Sequence, residues 1–252
     1  MEEFWKSILA GQSGIGPITL FDATAFNSRI AGEVKNFDPH DYIEPELKPR
    51  RMARHTQLAF AATMMALQDA GLDLDSLELP SPTPVIIGVS MNAMDVVEKC
   101  FESVQNLGPN RASPTTSEAS IPSAPANVIA DRIGFRANAR TVTTACPSGL
   151  DALAEAVTMI KSGAAELAIA GGADAPITPL VMASFVANGL SSCRNSEPQK
   201  ASRPFDLDRD SGVISEGAAV FVLENLERAE ARGVRAYLEI GGYGKQRDFD
   251  PH

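Results

Sequence analysis

Cysteine and histidine are scarce in this sequence, with three of each in 252 residues. Cys100, Cys146 and Cys193 are odd in number and irregularly spaced, which excludes a disulfide framework, and no CxxC pair points to zinc. His40, His55 and His252 are equally scattered, so neither a metal site nor any other cofactor is expected. Basic charge is also short. Lys and Arg total 22 against 32 Asp and Glu, a formal net charge of −10. Nucleic acid is thereby excluded as a partner, because phosphate binding needs a net basic surface or a strong basic stripe. Long apolar runs are missing as well. Gly, Ser or charge interrupts every apolar stretch well short of the ~20 residues that a bilayer crossing needs, so no membrane association is expected. The opening MEEFWKSILAG carries two acids where a secretory signal carries positive charge, and residence in the cytoplasm is the expectation.

What is present reads as an ordinary globular chain. An apolar fraction of 44% and a charged fraction of 21% suit one sizeable core, as a single large α/β domain or as two small lobes. Helical and strand-like segments alternate, the pattern of an α/β protein with a parallel or mixed sheet. Glu2 to Ala10 predicts a short amphipathic helix closed by Gly11. Met52 to Ala70 predicts a longer one ending at Gly71, a natural C-cap. Pro84 to Val89 is a short β-branched run, hence a buried strand. Asn106 to Pro125, full of Ser, Thr, Asn and Pro, predicts the longest loop, and a helix from Ala126 to Ile133 follows. Farther on, Ala218 to Leu223 and Val234 to Ile240 predict strands flanking a charged helix from Asn225 to Arg232, capped by Gly233.

Between these lies a unit with chemistry in it. Arg140 to Ala145 predicts a strand, Cys146-Pro147-Ser148-Gly149 a tight turn, and Leu150 to Lys161 a helix with Leu153, Ala156, Val157 and Ile160 as its apolar stripe. Glu166 to Ala170 is a further strand, ending in Gly171-Gly172. A cysteine where a strand passes into a helix sits among converging backbone N–H groups, which favour thiolate over thiol. The same groups can hold the oxyanion of a tetrahedral acyl intermediate. Proline at the first helical turn costs nothing there, and the small neighbours Ala145, Ser148 and Gly149 leave room for a substrate. Cysteine is also a common core residue, but this setting favours a nucleophile, the thiol form of a nucleophile elbow. Cys100, on a predicted helix, and Cys193, in a polar loop, have no such setting.

Thr144-Ala145-Cys146-Pro147-Ser148-Gly149 resembles the TACxSG active-site motif of elongating β-ketoacyl-ACP synthases, members of the thiolase-like superfamily. Ala170-Gly171-Gly172-Ala173-Asp174 is similar to that family's AGGAD/E strand end, with Thr178-Pro179-Leu180 after it. Leu190-Ser191 and Ser202 to Asp206 resemble its LS…SRPFD segment. Arg209-Asp210 and Ser215 to Ala218 resemble RDGF…GEGA. FWKSILAGQSGI, the MARHTQ helix and Leu67 to Gly71 also fit, in family order over nearly the whole chain. The resemblance implies a thiolase-like layered α/β/α half around a central mixed sheet, with residues 1–252 as the amino-terminal domain. It also implies that this domain lacks the family's first strand and the carboxy-terminal half that bears two catalytic histidines and a lysine. His252 resembles the non-catalytic histidine of a DAxH stretch. Ser211-Gly212 stands where the family has Gly-Phe.

The implied activity is that of a 3-oxoacyl-ACP synthase in fatty acid or polyketide biosynthesis. Cys146 takes an acyl group from acyl carrier protein, malonyl-ACP then loses CO2, and the resulting carbanion attacks the thioester. Without the histidines that stabilise the enolate, this polypeptide alone is expected to lack condensation. Phe185 matches a phenylalanine beside the nucleophile, and Met91 a position lining the acyl tunnel, though either residue could be ordinary core. Lys48, Arg50, Arg51 and Arg54 form a basic cluster on an acidic chain. It is read either as a docking patch for the acidic carrier or as a solvated helix start. A homodimer is implied, with the Thr141 to Ala145 strand near its two-fold axis, or else pairing with the missing half. A thiolase or polyketide synthase using the same cysteine is a rival reading. So is a non-catalytic partner subunit, which the retained Cys146 weighs against.

Overall fold

The computed structural model describes residues 2–74, 79, 80, 82–134 and 137–246. His252 and Asp248 lie outside the described residues. Helix α1 (Glu2–Leu9) precedes a two-stranded antiparallel sheet of β1 (Ile15–Pro17) and β2 (Ile30–Gly32). The larger sheet holds β3 (Thr83–Gly88), β4 (Ala137–Val142), β5 (Leu167–Asp174) and β6 (Gly217–Glu224) in the order β4-β3-β5-β6. β3 runs parallel to both β4 and β5, while β6 closes the sheet antiparallel to β5. The helices are α2 (Arg54–Asp69), α3 (Met94–Leu107), α4 (Thr116–Ala119), α5 (Ala124–Ile133), α6 (Ser148–Lys161), α7 (Pro179–Ala187) and α8 (Leu226–Ala231). This is the expected mixed sheet between helical layers.

The two-residue period of the strands builds those layers. Val85, Ile87, Leu167 and Ile169 face one way, onto Ala59, Phe60 and Leu67 of α2 and Ala126 and Ile129 of α5. Ile86, Ala168 and Ala170 face the other way, onto Ala152 and Ala156 of α6. Because β3 is covered on both faces, it reads as an unbroken apolar run rather than an alternating one. Full burial of each large side chain, such as Phe60, Ile86, Ile87, Leu167 or Ile169, stabilises by roughly 1.5–3 kcal/mol. Among the described residues no helix is long and apolar enough to cross a membrane.

Three expectations need correction. The segment Val234 to Ile240 forms no strand, and Tyr237 and Leu238 are exposed. β-branched and aromatic residues make a strand only where a ladder partner accepts their backbone groups, and none does among the described residues. Tyr237 instead donates its hydroxyl to Asp69 (3.0 Å). The predicted loop over Asn106 to Pro125 contains a 3-10 turn at Pro109–Arg111 and the short α4. β5 continues through Gly171-Gly172 to Asp174 rather than ending there, because β6 pairs alongside it as far as Gly217.

Glycine governs how closely α6 approaches the sheet. A Cβ on Gly88 would collide with the backbone carbonyl of Ser148, and one on Gly172 would come within 2.9 Å of Gly149 Cα. Gly88→Ala is therefore expected to cost about 2 kcal/mol or more through forced displacement of the α6 N-terminus. A urea midpoint equal to that of the wild type would show that the helix start gives way freely.

His55, in the first turn of α2, is fully buried, and among the described residues neither ring nitrogen has a hydrogen-bond partner. Burial pushes its pKa from 6.5 down to about 4, against the opposing pull of the Asp95 carboxylate. The unfolded chain takes up this proton below its ordinary value while the fold refuses it until about pH 4. Stability from this group is thus complete above pH 6.5 and falls by roughly 3 kcal/mol on the way to pH 4. His55→Leu is expected to flatten that part of the stability–pH curve. Urea unfolding at a series of pH values, with parallel curves for variant and wild type, would reject the assignment.

Candidate active site

The parallel strands β3 and β4 end level with each other and β5 runs on to Asp174, with Gly88 opposite both Val142 and Gly172. Three connections leave this one edge of the sheet. The segment after β3 carries Met91, the turn after β4 carries Cys146, and the turn after β5 leads into α7, which carries Phe185 near its end. β4 and β5 lie on opposite sides of β3, so connections diverge here. Such a point leaves a crevice for ligands in open α/β sheets.

Cys146 is exposed and stands two residues before α6. Ala145, just ahead of it, has φ +64°, a left-handed conformation that costs a non-glycine residue of order 1 kcal/mol. Ser148 holds the turn in this shape. Its hydroxyl accepts from the Thr144 amide (2.9 Å) and donates to the Ala145 carbonyl (2.5 Å), to which the Ser148 amide also donates (3.0 Å). Pro147 occupies the N-cap position and offers no side-chain cap to the first-turn amides. Those amides are the donors an anion at this helix end would use. The predicted helix began at Leu150; it begins two residues earlier because Ser148 and Gly149 are drawn onto the sheet beside Gly88 and Gly172.

A charge network flanks the turn. Asp151, in the first turn of α6, accepts from Thr144 Oγ1 (2.5 Å) and Lys245 Nζ (2.6 Å). These partners, Lys245 first, hold its carboxyl below the usual range. Lys245 belongs to a segment running along α6, tied also by Lys161 Nζ donating to the Gly241 carbonyl (2.9 Å) and by contact between Thr158 and Tyr243 hydroxyls (3.1 Å). Nothing in the local sequence around Cys146 announces Lys245, since the two are brought together only by the packing.

Met91 is half-buried, and its amide donates to Asp174 Oδ1 (2.7 Å). Phe185 is also half-buried, on a helix capped by the Thr178 side chain. Glu98 of α3 ties that cap down, accepting from Thr178 Oγ1 (2.5 Å) and the Leu180 amide (3.1 Å). Cys193 is exposed. Cys100 is partly covered on α3, and the Thr116 hydroxyl followed by the Ser113 backbone holds its thiol below the usual value, an environment its sequence context did not disclose. Among the described residues no group of three or more His, Cys, Asp or Glu could hold a metal ion.

The basic cluster divides. Lys48, Arg50 and Arg51 are exposed around two successive 3-10 turns, with Lys48 in the left-handed region at φ +55°. Arg54 does not belong with them, contrary to expectation. Its Nε and Nη2 donate to the two carboxylate oxygens of Glu216 (2.6 Å each), and Nη2 also donates to the Val34 carbonyl (3.0 Å). The Glu216 side chain is wholly buried, so Arg54 is committed to neutralising it.

Residues 1–229 match the family model described as "Beta-ketoacyl synthase, N-terminal domain". The chain is 40% identical over 252 residues to 3-oxoacyl-[acyl-carrier-protein] synthase 2 of Vibrio cholerae, covering 98% of this chain and 59% of that protein. It is equally 40% identical over 247 residues to a putative polyketide beta-ketoacyl synthase 1 of Streptomyces cyaneus, covering 95% of this chain and 58% of the other. Among solved structures, the ishigamide ketosynthase/chain length factor superposes with a TM-score of 0.85 at 34% identity, over 97% of this chain and 59% of its own. A ketosynthase bound to a hexaketide and in complex with its type II PKS acyl-carrier protein superposes with a TM-score of 0.78 at 30% identity, over 93% of this chain and 56% of that one. The chain thus spans a little under three fifths of the length of these relatives. By the match over residues 1–229, it belongs to the beta-ketoacyl synthase family, whose amino-terminal domain it carries.

Proposed function

We propose that Cys146 is the acyl acceptor of a 3-oxoacyl-ACP synthase-type condensing reaction. The observation that carries this reading is the exposed thiol on a strained turn directly ahead of α6, at the edge where β3, β4 and β5 end. In the first step Cys146 Sγ attacks the carbonyl carbon of an acyl-carrier thioester. The α6 amides stabilise the oxyanion, and the carrier thiolate departs and takes up a proton. In the second step a malonyl thioester loses CO2, and its α-carbon bonds to the acyl carbon as the Cys146 thiolate leaves. That step needs donors for the enolate, and among the described residues no histidine stands at the Cys146 turn. Met91 and Phe185 would line the acyl side. The relatives named above leave fatty acid and polyketide pathways equally open.

Three free cysteines suit a reducing compartment, and the proposed setting is the cytoplasm. The proposed partners are acyl carrier protein and either a second copy of the chain or a polypeptide supplying the enolate donors. A two-fold contact would use β4, whose outer edge is unpaired among the described residues. A chain length factor is named in one structural neighbour, but the intact Cys146 turn favours the catalytic role over that of a partner subunit.

Brief treatment with iodoacetamide followed by mass spectrometry is expected to label Cys146 ahead of Cys193 and Cys100. Release of CO2 from malonyl-ACP should stay at background. Equal labelling of all three thiols would remove Cys146 from the acceptor role, and robust decarboxylation would show that this chain contains the enolate donors.

Lys48, Arg50 and Arg51 form the proposed carrier-docking patch, since exposed positive charge on a chain of net charge −10 would steer an acidic partner to one place. Reversing Arg50 and Arg51 to Glu is expected to weaken carrier binding about tenfold or more at low salt and to flatten its salt dependence. Unchanged affinity would leave the patch a solvated helix start.

A further inference from the structure

The segment 241–245 lies along α6 with its contacts in order. Lys161 Nζ donates to the Gly241 carbonyl (2.9 Å), the Thr158 and Tyr243 hydroxyls meet at 3.1 Å, and Lys245 Nζ donates to Asp151 Oδ2 (2.6 Å). Residues 151, 158 and 161 are seven and three positions apart, so they form one stripe along the helix. At the α-helical rise, Asp151 and Lys161 are separated by about 15 Å along the axis, and four extended residue steps cover about 13–14 Å. The segment is therefore an extended strap running antiparallel to α6, and its far end reaches the helix start.

Asp151 passes this contact on to the acceptor turn. The oxygen that accepts from Lys245 also accepts from Thr144 Oγ1 (2.5 Å), two residues before Cys146. The Thr144 amide donates in turn to Ser148 Oγ (2.9 Å). Ser148 and Asp151 are three residues apart and share a face of α6, so they grip Thr144 at two points, by its backbone and by its side chain. The adjacent Ala145, at φ +64°, holds a conformation that persists only where its surroundings over-determine it. Lys245 and then Thr144 hold the Asp151 carboxyl below the usual range, so it stays charged, and a charged acceptor makes the stronger bond to a hydroxyl.

We propose that Asp151 is a positioning residue that fixes Thr144, and with it the turn bearing Cys146, against the start of α6, and that Lys245 on the strap holds Asp151 in place. The proposal deepens the acceptor reading of Cys146 and rests on it. Acyl transfer needs the thiol and the first-turn amides in a set relation, because the oxyanion forms as Sγ bonds to the carbonyl carbon. Alkylation generates no oxyanion and needs only an accessible thiolate. A loosened turn therefore lowers acylation while leaving alkylation nearly as it was.

The test compares p-nitrophenyl acetate with iodoacetamide, mass spectrometry locating each label. With the ester, Sγ bonds to the carbonyl carbon and p-nitrophenolate leaves. With iodoacetamide, Sγ bonds to the methylene carbon and iodide leaves, and in both cases the thiol proton passes to solvent. In Asp151→Ala and Thr144→Val the ratio of acylation to alkylation at Cys146 is expected to fall about tenfold or more. Combining the two should lower it no further, since they remove the same contact. Lys245 is 60% exposed, so its replacement spares the fold. Lys245→Met is expected to lower the ratio about threefold, and Lys245→Arg, which keeps the charge, to recover most of that loss. The Lys245→Met effect should vanish in an Asp151→Ala background. Ratios unchanged from wild type, two rates that fall in parallel, or a Lys245→Met effect undiminished without Asp151 would each overturn the proposal. Failure of the acceptor reading would appear separately, as wild-type Cys146 acylated no faster than Cys193, and would take the proposal with it.

Discussion

The N-terminus of α6 lies backbone to backbone against the ends of β3 and β5, and most of the candidate site follows from that contact. Gly88, Gly149 and Gly172 are the residues that permit it, since a single methyl group at Gly88 or Gly172 would push helix and sheet apart. The alanines of α6 continue the approach along the helix, with Ala152 and Ala156 meeting Ala168 and Ala170. A chain that must pass from the end of β4 into a helix held this close has little length in which to turn. The left-handed Ala145 and the doubly bonded Ser148 hydroxyl are the result. Cys146 is exposed because it occupies the apex of that turn.

A second set of contacts holds the opposite layer in register with the sheet. Arg54 at the start of α2 reaches Glu216, just before β6, and the Glu216 carboxylate also accepts from the Val34 amide (2.9 Å). Glu216 donates its own amide to Gly32, joining the small sheet to the large one. A fully buried carboxylate is tolerable only with a cation of fixed geometry, and the two parallel bonds of a guanidinium meet that need better than an ammonium would. Breaking the pair from one side would leave an uncompensated buried charge, at a cost of about 3–5 kcal/mol. The motif residues around Glu216 therefore act on the architecture, whereas those around Cys146 shape an exposed turn.

Long-range charge contacts refine the turn without forming it. Lys245 cancels much of the negative charge that Asp151 would otherwise present at the positive end of α6, so the helix end keeps its preference for an anion. Asp174 and Glu98 work in a related way, each spending a carboxylate on backbone amides of a neighbouring segment. Each acts from an element distant in sequence from the segment it fixes.

Read alone, the sequence determined the α/β class, the strand–turn–helix unit around Cys146 and the positions of β3, β6, α2, α6 and α8 to within a few residues. These follow from local causes: β-branched runs, a 3.6-residue apolar stripe, and glycine at φ +65° or +67° after α2 and α8. It also marked Cys146, because a cysteine between a strand and a helix has a chemistry legible from its neighbours. Tertiary structure alone decided the rest. Val234 to Ile240 had the composition of a strand but no ladder partner among the described residues, and Arg54 looked like one of four surface cations until Glu216 claimed it. In each case the deciding partner lies more than ten residues away or is absent, and hydrogen-bonding and charge pairing at that range depend on packing that no local pattern encodes.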